Sequence, residues 1–237
     1  MATTAYDRPF VSCEDSLPRV AGAFNFVCTV SSIAIMVVPL QLCGRFMKQS
    51  YLEAKVYFVF LFLTFVWNLM EHATGVLGPP CIESIGCCSN LWLTALLLRI
   101  QGWETIVNEV RMVATLLSIL SIMIGFWSIH AEIKAYYSIA TPLVIYILST
   151  MGRLSYDNPV AWRYYTWSLI PALTMAVSLP LEPSWCNLWD TDNRARAFYH
   201  GIYIHTLATV FLRNVASCVL ELVDKAEKQR ECIKKQL

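Results

Sequence analysis

Seven apolar runs follow one another along this chain at short intervals, and few folds can accommodate them. They cover about Ala21 to Met47, Ala54 to Val76, Cys87 to Trp103, Met112 to His130, Ala135 to Met151, Tyr165 to Leu181 and Phe198 to Leu220. Each is near the roughly 20 residues that a helix needs to cross hydrocarbon, whereas membrane β-strands would read as alternating segments of about ten. The third run is the shortest and is interrupted by Arg99 and Gln101. The chain is 57% hydrophobic and 15% charged over 237 residues, more apolar than one soluble core of that size requires. The sequence therefore predicts an all-α membrane protein: a seven-transmembrane helix bundle over 21–220, with an extracellular segment 1–20 before it and a basic cytosolic tail 221–237 after it.

Positive residues accumulate in cytoplasmic loops, so their distribution orients the bundle. Arg45, Lys48 and Lys55 flank the first loop, Arg99 and Arg111 the third, Arg153 and Arg163 the fifth, and five more lie in the tail. The other side holds Arg8, Arg19, Lys134, Arg194 and Arg196. This places the N-terminus outside and the C-terminus in the cytosol. The stretch Met1 to Arg19 lacks the basic start and short apolar core of a cleavable signal, so the first helix is expected to act as the signal. A net charge of +1, with no basic patch outside the tail, excludes a nucleic-acid reading.

In this orientation all four histidines, His72, His130, His200 and His205, fall in the outer half of the membrane. An imidazole in hydrocarbon needs a partner or a ligand, and neutral imidazole is a common zinc ligand. His72 shares a helix face with Asn68, four residues before it, while Glu71 points about 100° away. His200 and His205 are five apart, which on a regular α-helix separates them by about 140°. Both reach one pocket only if a residue is accommodated as a π-bulge, which Gly201 would ease. His130, at a helix end, reads as interfacial.

Cys13, Cys81, Cys87, Cys88 and Cys186 face the oxidising exterior in this topology and are the disulfide candidates. Cys28, Cys43, Cys218 and Cys232 fall in helices or on the cytosolic side. The connectivity stays open. No nucleophile elbow, phosphate loop or carboxylate pair is present.

Several short motifs carry a resemblance. Tyr51-Leu-Glu-Ala-Lys-Val-Tyr57 leads into His72, and Ala197-Phe-Tyr-His200 is followed by His205-Thr-Leu-Ala-Thr-Val-Phe-Leu212 after an acidic, Trp-containing loop. With these motifs the chain resembles the transmembrane protein 8 and myomaker family, in the superfamily of alkaline ceramidases and adiponectin-type receptors. The resemblance implies a metal site of His72, His200 and His205, holding zinc, with Asn68, Glu71, Asn90 and Arg196 around it. Here the chain departs from the superfamily's hydrolytic pattern. Asn68 stands where a serine is expected, the third helix has no aspartate, with Asn90 the nearest polar residue, and the last pair is spaced by five instead of four.

The resemblance implies a plasma-membrane protein of cell–cell fusion, as in myoblasts, acting without turnover at the outer leaflet. Its partners would be membrane lipids, further copies of itself, and proteins or lipids of the opposing membrane. A zinc-dependent lipid hydrolase of the alkaline ceramidase type is the second expectation. A seven-helix receptor or transporter is the third.

Overall fold

The structure is a computed structural model that describes residues 26–74, 79–127, 133–188 and 198–236. Within these, the side chains of 26, 71, 74, 79–84, 120–127, 133–141, 179–180, 182–188, 198 and 200 lie outside the described set. The described residues form α1 (Phe26–Lys48), α2 (Leu52–Thr74), α3 (Pro79–Ile100), α4 (Glu104–Trp127), α5 (Ile133–Ser155) and α6 (Pro159–Leu188). A π-helical turn (Phe198–Ile204) then runs directly into α7 (His205–Gln236).

Local chemistry explains where several helices begin and end. Gly102 takes φ +80° after α3, and its N–H donates to Arg99 O while that of Trp103 donates to Leu98 O. These paired bonds close the last turn in a Schellman motif, and glycine takes the left-handed position without strain. Asn158 caps α6, its Oδ1 accepting from the N–H groups of Val160 and Ala161, both at 3.2 Å. Pro159 occupies the first helical position, where a missing N–H costs nothing.

Three helices are long and apolar enough to cross a membrane, over Val27–Lys48, Leu52–Met70 and Gly201–Gln236, and Ile85–Ile100 is a shorter apolar helix. The third helix starts earlier than the hydropathy suggested, at Pro79 instead of Cys87. Its polar N-terminal residues lowered the mean without breaking the helix.

Packing follows the apolar pattern. Leu93, Leu96 and Leu97 are fully buried, with Trp92 and Leu98 close behind, because α3 is enclosed by α2, α4 and α5. The middle of α7 buries Val219, Leu220 and Val223 against α1, α5 and α6. α4 and α6 lie at the periphery, the first against α3 and the second mainly against α7.

The end bearing the α1–α2, α3–α4 and α5–α6 connections is charged. Glu53, 2% exposed, meets Arg99 at 3.0 Å and Arg111 at 3.5 Å, and Arg99 also pairs with Glu104. Gln101 accepts from Arg153. The tail is not a separate element. It continues α7, and its acidic face holds the α1–α2 loop: Arg45 reaches Glu221 and Asp224 at 3.0 and 2.9 Å, and both the N–H and hydroxyl of Ser50 donate to Glu227 at 2.6 Å.

The expected disulfide is absent among the described residues. Cys87 and Cys88 are not disulfide-bonded; both are buried on α3, packed against neighbouring helices, and as sequence neighbours they point about 100° apart. Cys13 and Cys186, and the side chain of Cys81, lie outside the described residues.

Candidate metal centre

At the opposite end, three helices bring together Cys28, His72 and His205. All three are buried, and each offers a ligand atom within 4.8 Å of the others. Cys28 lies in the first turn of α1, His72 in the last turn of α2, and His205 is the first residue of α7. The imidazole centroids of His72 and His205 are 5.2 Å apart, tilted by 58°. Donors bound tetrahedrally to zinc at ordinary bond lengths would sit about 3.3 to 3.8 Å apart. Rotamer-scale movements of about an ångström bring the triad into that range.

A polar shell orients the donors. Ser31 Oγ lies 2.6 Å from His205 Nδ1, and also 2.9 Å from Val27 O and 3.1 Å from Cys28 O. The hydroxyl has one proton, and the two carbonyls of the preceding turn can only accept. A hydroxyl that donates to one of these carbonyls accepts from His205 Nδ1–H, the tautomer with its lone pair on Nε2. This is the arrangement by which metal-binding histidines are commonly held in one tautomer. Asn68 Nδ2 donates to Ser32 Oγ at 3.0 Å, tying α2 to α1 one turn from His72.

The π-turn brings His205 to α1. Gly201 packs so closely that a Cβ there would lie 2.6 Å from Val27 Cγ1 and 3.2 Å from Cys28 N. Only a residue without a side chain permits this approach. Tyr199 fixes the other side of the turn, its hydroxyl donating to Ser178 O of α6 at 2.8 Å. Its ring lies 5.5 Å from that of Tyr203.

Of the residues expected at the site, the structure brings together His72 and His205 and places Asn68 beside them. A π-helical turn, the condition for both histidines of this segment to face one pocket, is present over Phe198–Ile204. The side chains of His200 and Glu71 lie outside the described set, as do His130 and Arg196. Asn90 is half-buried on α3, and no α3 residue belongs to the triad. The residues missed were Cys28 and Ser31. The sequence groups Cys28 with the helix and cytosolic cysteines, although the expected topology sets the start of the first helix at the outer end with the histidines.

A thiolate and two imidazoles form a soft, nitrogen-rich donor set that suits zinc, and binding would release the thiol proton. No family model, curated protein or solved structure matches the chain.

Proposed function

We propose that this chain is a multipass plasma-membrane protein that promotes cell–cell fusion of the myoblast kind, with a zinc ion held by Cys28, His72 and His205 at the outer end of its bundle. The observation that carries this reading is the composition of the triad. Its donors come from three helices distant in sequence and, among the described residues, include no carboxylate. Such a site clamps the ends of α1, α2 and α7 and presents a rigid surface. The fusion context comes from the sequence resemblance, as does action on the outer leaflet.

In this reading all seven helices cross the bilayer, with the N-terminus outside. Support comes from the outward faces of the helices beyond the three most apolar ones, where Leu116, Ile145 and Leu173 are 57, 63 and 67% exposed. Side chains of that size left uncovered on several helices suit contact with lipid tails. The excess of Lys and Arg near the α1–α2 end supports the orientation.

Expression in non-fusing cells carrying two cytoplasmic dyes tests the proposal. Dye mixing is expected with the native chain and not with Cys28→Ser at equal surface abundance; an absence of any lipid or content mixing by the native chain sinks it. One observation favours a second reading, a lipid hydrolase of the ceramidase type. Three protein ligands with one tetrahedral position left is the ligand count of catalytic zinc sites. Release of fatty acid from ceramide by purified, zinc-loaded protein would favour that alternative.

A further inference from the structure

Among the described residues, the arginines of α5, α6 and α7 lack the carboxylate partners that those of α1, α3 and α4 have. Arg45, Arg99 and Arg111 each meet a carboxylate. Among the described residues, Arg163 of α6 and Arg213 of α7 meet none; both are exposed. Arg163 sits near the start of α6, where the helix dipole is already positive and disfavours an uncompensated cation. Arg213 precedes Glu221, in the charged end network, by eight residues, or about 12 Å along the helix. That places it well inside the candidate span Gly201–Gln236. A guanidinium at that depth calls for an anion or for water.

Between the two helices is an open cleft of about 500 Å³ lined by Arg163, Tyr164, Trp167 and Asn214. Asn214 Nδ2 donates to Trp167 O at 3.3 Å, which fixes the amide at the cleft wall with its oxygen still available to accept. The cleft continues into an apolar strip: Trp167, Ile170 and Leu173 on α6 are each more than half exposed. Cationic at one end, aromatic in the middle and aliphatic beyond, the surface has the polarity order of a phospholipid from phosphate to acyl chain. Basic pockets between helices on the cytoplasmic side bind anionic headgroups by this complementarity.

We propose that the α6–α7 cleft binds an anionic phospholipid of the inner leaflet, with Arg163 holding its phosphate, Trp167 lying against the glycerol region and upper acyl chain, and Arg213, beside the lining Asn214 but not itself in the lining, adding longer-range attraction. The proposal rests on the chain spanning a bilayer and is independent of the metal centre and of fusion. The full chain would be reconstituted into phosphatidylcholine nanodiscs containing equal fractions of either brominated phosphatidylserine or brominated phosphatidylcholine. Tryptophan quenching reports which lipid sits beside the protein.

Brominated phosphatidylserine is expected to quench more strongly, with a preference of roughly fivefold per arginine. The preference should disappear in R163Q/R213Q, remain in R163K/R213K, and vanish from the signal in W167F, which removes the reporter in the cleft. Equal quenching by the two lipids overturns the proposal. So does a preference that survives R163Q/R213Q, or one unaffected by W167F, since the lipid would then sit elsewhere.

Discussion

Ser31 Oγ and His205 Nδ1 are 2.6 Å apart, a contact between α1 and α7 that holds the imidazole beside Cys28 and His72. The hydroxyl is not a ligand in the triad. It acts by holding the ring, as residues behind metal-bound histidines generally do.

Ser31→Ala is therefore expected to weaken zinc binding about 10- to 100-fold while leaving the helical fold intact. Competition against a zinc-chelating dye, with circular dichroism as the control for folding, measures both. Unchanged affinity would mean that the ring is oriented by something else.

Metal content follows the donors directly. Cys28→Ala, His72→Ala and His205→Ala should each lower bound zinc, by elemental analysis of purified protein, toward the background of the triple variant. A chelator should lower the melting temperature of the native chain and leave that of the triple variant unchanged, because only a ligand bound to the folded state stabilises it. Equal zinc in the native and triple-variant proteins would remove the triad as a metal centre.

Gly201→Ala should destabilise the protein by about 1 to 3 kcal/mol, the usual range for overpacking, and weaken zinc binding at the same time. The added methyl would meet Val27 Cγ1 at 2.6 Å, so the π-turn must move away from α1 and take His205 with it. Trimming the obstacle in a Val27→Ala, Gly201→Ala double variant should recover part of both losses. A thermal melt combined with a zinc titration reads the two effects; full affinity in Gly201→Ala would contradict the close-approach role.

At the other end, Glu53→Ala should cost about 1 to 3 kcal/mol, because it removes the buried acceptor shared by Arg99 and Arg111, while Arg99 keeps Glu104. Equilibrium unfolding in a mixed detergent series measures it. Arg45→Ala, whose partners are substantially exposed, should cost less than about 1 kcal/mol. Similar losses for the two variants would show that burial is not what distinguishes the pairs.

Much of the helical layout was legible because apolar runs and their punctuation act locally. The seven runs correspond to seven helices, and Gly102 and Pro159 mark ends that any reader of turn chemistry can find. The five-residue spacing of His200 and His205 also carried information, since it demands a π-turn if the helix face is to be kept, and a π-turn spans Phe198–Ile204. Charge signals were less legible. Arg99, read as an interruption in an apolar run, is instead one partner of buried Glu53, and it is acidic residues of the basic tail that hold the α1–α2 end.

What the sequence by itself determined is a strongly helical, membrane-compatible chain, because hydropathy and periodicity are properties of one segment at a time. The tertiary structure alone decided that Cys28 joins His72 and His205 and that Ser31 orients one of the rings. Coordination depends on which faces of three helices converge. That convergence is set by packing between residues far apart in the chain, down to the absence of a single methyl group where Gly201 meets Val27.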